Sequence, residues 1–139
     1  MLDLSAFEKA LHALDEAIRA GGSEELKLLL TPGQYNTLRY GLVQRFEFTY
    51  ELSWKFIKRW LEANLGAVYV DGVSRRELFR IAAEHRLIAD VEQWMFFHKL
   101  RNLTSHTYDE ETANEVCTGA ELFFRQARLL RDALAARND

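Results

Sequence analysis

Apolar residues near the amino terminus recur at alternating spacings of three and four positions. This spacing places them on one face of an α-helix, which turns about once every 3.6 residues. Gly21 and Gly22 follow the last apolar position and are typical of a helix end. The pattern therefore predicts a first amphipathic helix ending at the two glycines. Its apolar positions are Leu4, Phe7, Leu11, Leu14 and Ile18.

The second predicted helix is longer and carries apolar side chains on more than one stripe. Residues 22–33 are predicted to be a connection, since the only proline of the chain, Pro32, stands where a helix can begin. The helix should end at residues 64–66, which are Asn-Leu-Gly. A helix that is apolar on so much of its surface lies centrally or also packs on a second subunit, so we expect a homodimer. One stripe comprises Phe46, Tyr50, Ile57 and Trp60, and the other comprises Phe48, Leu52 and Phe56.

Two further helices are predicted from their capping residues. Ser74 and Glu77 have the spacing of a capping box, in which each side chain bonds the backbone amide of the other residue. The helix that they begin should end near His85. Asp90 can cap the next helix, which is expected to fray near residues 106–108.

The last predicted helix begins at Asp109 or Thr112 and repeats apolar residues at bundle spacing. Strand patterns are absent from the sequence. Short connections between long amphipathic helices predict an all-α fold: an antiparallel, up-and-down helical bundle of about five helices with a four-helix-bundle core.

Length and composition favour one globular domain over residues 1–139. The chain has 139 residues, of which 48% are hydrophobic and 28% are charged. It contains no apolar run near the roughly 18–20 residues of a membrane span, and no signal-peptide pattern, so we expect a cytoplasmic protein with no membrane partner. The net charge of −3 argues against a broad basic surface for duplex nucleic acid. Contact with nucleic acid should therefore be local.

Residues 101–108, Arg-Asn-Leu-Thr-Ser-His-Thr-Tyr, gather several chemically active side chains at a predicted helix end. Arg101 offers a planar fork that can bind two phosphate oxygens and stabilise added negative charge. His106 can exchange a proton near neutral pH, because imidazole ordinarily has a pKa of about 6.5. Asn102 can orient an oxygen without adding charge. The set suits phosphate chemistry, and a capped helix end without catalytic function is the structural alternative.

The helical geometry of this segment limits what one subunit can do. On a regular helix, Arg101 and His106 point in directions about 140° apart. Either the helix end bends or a second subunit completes the site. A homodimer would bring two copies of the segment into one groove on its twofold axis.

Two segments together resemble a known family. Residues 44–55 read QRFEFTYELSWK and residues 101–110 read RNLTSHTYDE. They closely resemble the nucleotidyltransferase substrate-binding proteins, a branch of the HEPN superfamily of helical bundles, and the likeness covers nearly the whole chain in helix order. The resemblance implies a homodimer and a metal-independent endoribonuclease acting on RNA at the dimer cleft. It also implies a cognate minimal nucleotidyltransferase as partner, in a toxin–antitoxin system where this chain is the toxin.

The resemblance assigns a function to each residue of the second segment. Arg101 would stabilise phosphate charge, Asn102 would be its polar neighbour, and His106 would act as general acid or base. Tyr108 would receive AMP from the partner, which silences the ribonuclease. The chain itself would need no cofactor, since ATP and a divalent metal would belong to the partner. The alternative function is a non-catalytic substrate-binding subunit of a two-component nucleotidyltransferase.

Two glutamates on the second helix form a possible carboxylate pair. Glu47 and Glu51 lie one turn apart, and Glu51 has the spacing for an ion pair with Lys55. Glu47 is expected either to lie in solvent or to reach the cleft and orient Arg101.

The remaining polar and aromatic residues are interpreted structurally. His98 and His106 lack carboxylates or cysteines at ligand spacing, so we expect no metal site. Cys117 is the only cysteine and is interpreted as a small core residue. Four arginines are interpreted as a solvated helix face, with local contact to nucleic acid as the alternative. Three tryptophans are interpreted as packing residues, with base stacking as the alternative. The arginines are Arg75, Arg76, Arg80 and Arg86, and the tryptophans are Trp54, Trp60 and Trp94.

Overall fold

The computed structural model describes residues 1–105 and 109–138, and every regular element within these ranges is helical. The all-α prediction is therefore confirmed. The six α-helices of the described residues are α1 Ser5–Gly21, α2 Glu24–Leu29, α3 Pro32–Leu65, α4 Arg75–Glu84, α5 Val91–Thr104 and α6 Glu110–Ala136, with a 3-10 turn at Ala67–Tyr69.

Helices α1, α3 and α6 pack together along their lengths, and α5 packs on α3, α6 and α4. Phe123 of α6 is fully buried at the centre of this core. It contacts rings from both α3 and α5, so it joins the two helices that carry the sequence motifs. The ring centroids lie 5.0 Å away for Phe46, 5.1 Å for Phe97, 5.9 Å for Trp94 and 6.4 Å for Tyr50.

A glycine allows α5 and α6 to approach closely. Gly119 of α6 faces Leu100 of α5, and a Cβ atom at residue 119 would lie 2.8 Å from Cδ1 of Leu100. Leu100 is buried and immediately precedes Arg101 in the chain. The close approach of α5 and α6 therefore lies in the turn of α5 that carries the arginine.

Acidic caps start α5 and α6 as predicted. Asp90 accepts hydrogen bonds from the backbone amides of Glu92 and Gln93, at 2.9 and 3.2 Å. Asp109 accepts from the amide of Thr112 at 2.7 Å, so Asp109 is the cap of α6. The predicted fraying near residues 106–108 lies outside the described residues.

The capping box is found at a different helix from the one predicted. Ser74 accepts from the amide of Glu77 at 3.1 Å, but the Glu77 carboxylate binds Arg80 instead of returning to Ser74. Both halves of a capping box are present at α3, where Thr31 and Gln34 bond each other's amides at 3.0 and 3.1 Å.

One prediction about the amino-terminal half is wrong. Residues 22–33 contain the short helix α2, capped by Ser23, so the described bundle has one helix more than expected. This helix has no buried residue, which explains why hydrophobic spacing did not reveal it. The second apolar stripe of α3 is buried only in part within one chain: Phe56 is buried against Phe7, whereas Phe48 is 59% exposed. None of the described helices is both long and apolar enough to cross a bilayer.

Candidate functional site

Arg101 lies in the last turn of α5 against two carboxylates of α3. Its Nη1 is 3.6 Å from Oε2 of Glu47, and its Nε is 3.3 Å from Oε1 of Glu51. The second contact is an ion pair rather than a hydrogen bond, since Nε has no hydrogen-bond partner within the described part of the chain. The arginine side chain is 24% exposed and the glutamates are 19% and 35% exposed. Partial burial reduces solvent screening, so the pairing orients the guanidinium more firmly than a surface ion pair would.

Hydrogen bonds at the end of α5 also hold the same guanidinium. Nη1 of Arg101 donates to Oγ1 of Thr104 at 3.3 Å and to Oγ of Ser105 at 3.0 Å. Thr104 is buried, and its hydroxyl in turn donates to the Arg101 carbonyl at 2.7 Å. A cation at this end of a helix is also favoured by the helix dipole. The position of Arg101 is thus fixed by contacts within α5 as well as from α3.

A hydrogen-bonded chain lies beside the arginine and links α3 to α5. Oη of Tyr50 is 2.7 Å from Nδ1 of His98, and Nε2 of His98 is 3.3 Å from the side-chain amide of Asn102. Burial raises the pKa of Tyr50 far above its ordinary value, so its hydroxyl stays protonated. Burial also lowers the pKa of His98, and the positive charge of Arg75 lowers it further while Glu51 opposes the shift. His98 is therefore neutral at neutral pH.

A second arginine reaches this site from α4. The guanidinium of Arg75 stacks on the ring of Trp54, 3.5 Å from the centroid, a cation–π contact. Nε1 of Trp54 donates to Oε2 of Glu51 at 2.9 Å, so Glu51 joins the two arginines. Burial lowers the pKa of Arg75, and its Nε is buried without a hydrogen-bond partner among the described residues. Arg75 therefore belongs to the site and not to the solvated face on which it was predicted.

The pKa of His98 provides a direct test of this electrostatic arrangement. Replacement of Arg75 by glutamine should raise that pKa, because it removes the positive charge that opposes protonation. Nuclear magnetic resonance titration of the His98 ring measures the shift. The folded-state pKa of His98 in the wild type lies below its unfolded-state value, so the unfolded state takes up a proton first as the pH falls. The contribution of His98 to the free energy of unfolding is therefore complete above about pH 6.5 and is lost as the pH falls towards the folded-state pKa.

The control for this titration is Arg76, the neighbour of Arg75. Arg76 forms an exposed ion pair with Glu92 and should leave the His98 titration unchanged when it is replaced by glutamine. Equal pKa shifts in the two variants would mean that the general loss of positive charge, and not the stacked arginine, controls His98.

The sequence-predicted residues are only partly within the described structure. Arg101, Asn102 and Glu47 are placed together, and Glu47 lies beside the guanidinium. His106 and Tyr108 lie outside the described residues. The predicted pairing of Glu51 with Lys55 is wrong, because Glu51 contacts Arg101 and Trp54 while the Lys55 ammonium lies 5.8 Å from the Trp54 ring centroid.

Four residues of the site were not proposed from the sequence: Tyr50, Trp54, Arg75 and His98. Three of them could have been found from helical spacing, because residues three positions apart lie on the same face of a helix. Tyr50 and Trp54 lie three residues after Glu47 and Glu51, and His98 lies three before Arg101. Arg75 gave no such signal because it comes from a different helix. No group of three potential metal ligands occurs within residues 1–105 and 109–138.

Similarity to known proteins extends over almost the entire chain. The family model described as nucleotidyltransferase substrate binding protein like matches residues 2–136. The chain belongs to this family. This confirms the resemblance inferred from residues 44–55 and 101–110. Those are the two segments that supply Glu47 and Arg101.

Individual proteins are similar to this chain in sequence and in fold. The chain is 31% identical over 140 residues to a protein of Haemophilus influenzae named probable ribonuclease HepT, covering 99% of this chain and 94% of that relative. A solved structure from the same organism, described as revealing the fold of a substrate binding domain of a nucleotidyltransferase, matches with a TM-score of 0.91 at 28% identity, covering 96% of this chain and 99% of that one. A crystal structure of a protein from Thermus thermophilus matches with a TM-score of 0.73 at 28% identity, covering 92% and 98%.

Proposed function

We propose that this chain is a HEPN-type, metal-independent endoribonuclease, and the toxin of a toxin–antitoxin pair whose other component is a minimal nucleotidyltransferase. The observation that carries the proposal is the guanidinium of Arg101, oriented by Glu47 and Glu51 beside Asn102. A group held in position before substrate binds stabilises transition-state charge without reorganisation. The relative named probable ribonuclease HepT supports RNA as the substrate.

Glu47 and Glu51 offset much of the positive charge of Arg101 and Arg75 in the resting site. They weaken the attraction of the site for any phosphate, so their contribution to the proposed reaction is the orientation of the Arg101 guanidinium. An oriented donor accelerates the chemical step where its interaction strengthens as charge develops on the phosphate oxygens, whereas tight ground-state binding does not.

The proposed reaction is internal transesterification of RNA. His106 takes the proton of a ribose 2′-hydroxyl, the O2′–P bond forms, and the P–O5′ bond breaks as His106 returns that proton to the leaving 5′-oxygen. The products end in a 2′,3′-cyclic phosphate and a 5′-hydroxyl. Arg101 stabilises the charge on the non-bridging oxygens, and Asn102 orients one of them.

A homodimer is part of this proposal. Arg101 and His106 would point about 140° apart on one regular helix, so the arginine of one subunit and the histidine of the other are the natural pair. Two large apolar side chains of α5 are available for such a contact, since Phe96 is 44% exposed and Leu103 is 36% exposed.

Transfer of AMP to Tyr108 is the proposed control of the ribonuclease. The tyrosine oxygen attacks the α-phosphorus of ATP and pyrophosphate leaves, with ATP and a divalent metal held by the partner enzyme. The product places a phosphodiester, with its negative charge, two residues from His106. That charge repels a substrate phosphate, and the attached nucleoside occupies space beside the site.

Incubation of the purified chain with RNA in excess EDTA tests both parts of the proposal. The chain alone should cleave RNA, and a His106→Ala variant should not. After treatment with the partner and ATP, mass spectrometry should find one added adenylyl group on Tyr108, and cleavage should stop. The Tyr108→Phe variant should take no adduct and continue to cleave.

A substrate-binding subunit without catalytic activity is the second candidate function. The solved Haemophilus influenzae structure, described as a substrate binding domain of a nucleotidyltransferase, favours it. With that function the chain would leave RNA intact and take no adduct. It would instead stimulate transfer by the partner to another acceptor, which radiolabelled ATP would reveal.

A further inference from the structure

We infer that His98 is a positioning residue of this site: it turns the amide of Asn102 so that the NH2 group, and not the oxygen, faces a bound phosphate. The contact between Asn102 and phosphate rests on the proposed function. The orientation of the amide rests on hydrogen bonds within the chain alone.

Both ring nitrogens of His98 have hydrogen-bond partners. Nδ1 is 2.7 Å from Oη of Tyr50, and Nε2 is 3.3 Å from Nδ2 of Asn102. A neutral imidazole has one N–H donor and one acceptor nitrogen. Tyr50 and Asn102 therefore cannot both donate to the ring, and one of them must accept.

Tyr50 is the partner that donates. The residue is 1% exposed, and among residues 1–105 and 109–138 the hydroxyl forms a hydrogen bond only with His98. If the hydroxyl accepted from Nδ1, its own proton would be buried without an acceptor, which is strongly unfavourable.

The proton of the ring must then be on Nε2, which requires an acceptor on Asn102. A side-chain amide can present either its oxygen or its nitrogen to a neighbour after a half-turn about the Cβ–Cγ bond, and the hydrogen-bond partners decide between them. Here they place Oδ1 against Nε2. The NH2 group is turned away from His98, on an exposed residue next to Arg101, where it can donate to phosphate oxygens.

The tautomer of His98 tests this order of hydrogen bonds without any assay of activity. Correlation of the imidazole nitrogens with the ring protons by nuclear magnetic resonance distinguishes a protonated Nε2 from a protonated Nδ1. The resonances of His98 are those that disappear in a His98→Gln variant. We expect the Nε2–H form in the wild type and a mixture of tautomers in Tyr50→Phe. A wild type in the Nδ1–H form would overturn the inference.

Substitution of His98 by two amides tests its effect on the reaction. A glutamine amide reaches the position of Nε2 and keeps a donor for Asn102, whereas an asparagine amide reaches only the position of Nδ1. His98→Gln should therefore retain kcat within about threefold, and His98→Asn should lose about tenfold, the effect of one lost hydrogen bond. Asn102→Asp, which accepts from Nε2 but offers no donor, should lose at least as much.

The control is His12→Gln, because His12 is exposed on α1 and should not affect kcat. Circular dichroism establishes whether each variant is folded. Where a His98 or Asn102 variant is not folded, the Tyr50→Phe variant is measured in its place. Equal losses in the glutamine and asparagine variants would overturn the positioning function of His98. If the wild type cleaves no RNA, the proposed function fails, while the tautomer still decides whether His98 orients Asn102.

Discussion

Replacement of Arg101 by alanine should lower the rate of RNA cleavage by about 10²- to 10³-fold, the usual effect of removing one oriented donor from a transition state. Arg101 is the cation that Glu47 and Glu51 hold at the end of α5. Lysine should restore little of the rate, because a single ammonium does not reproduce the fork that contacts both carboxylates. Initial rates with a short RNA in EDTA measure the effect.

Arg76→Ala is the matched control for this experiment. Arg76 forms an ion pair with Glu92 in which both side chains are more than half exposed, so its removal should leave the cleavage rate nearly unchanged. Urea denaturation establishes that the Arg101 variants are folded at the assay temperature. Cleavage by Arg101→Ala at the wild-type rate would place the catalytic centre elsewhere.

Replacement of Phe123 by alanine should reduce the free energy of unfolding by about 3–5 kcal/mol, a large part of the stability of a domain of this size. The fully buried ring contacts aromatic side chains of α3 and α5, and a cavity would remain between them. Chemical denaturation monitored by circular dichroism measures the loss.

Leu129→Ala provides the comparison for Phe123, since Leu129 lies on the same helix and is 57% exposed. Its replacement should change the free energy of unfolding by less than about 0.5 kcal/mol. A loss of less than about 1 kcal/mol for Phe123→Ala would mean that the core can close around the missing ring.

The helices that could be predicted are those with local signals. Asp90 and Asp109 cap helices from their own first turn, and the apolar spacing of α1 is strict along its length. The six-residue α2 escaped prediction because it has no buried face. The exposure of Phe48 could not be predicted, because it depends on which side of α3 faces neighbouring helices.

Most of the site that could be predicted lies within one segment, and Glu47 was the one contributor proposed from another helix. Arg101 and Asn102 could be proposed because arginine and asparagine next to a histidine suit phosphate. The contact between Tyr50 and His98 joins residues 48 positions apart, and its existence depends on how α3 and α5 pack. Arg75 could not be separated from its neighbours by sequence, since only the packed structure shows which arginine covers Trp54.

The close approach at Gly119 leaves little room for a side chain against Leu100. A Cβ atom at residue 119 would lie 2.8 Å from Cδ1 of Leu100, so the end of the leucine side chain would have to move. Leu100 immediately precedes Arg101, and a substitution at residue 119 therefore changes the packing of the helix turn that carries the arginine without removing any polar group of the site.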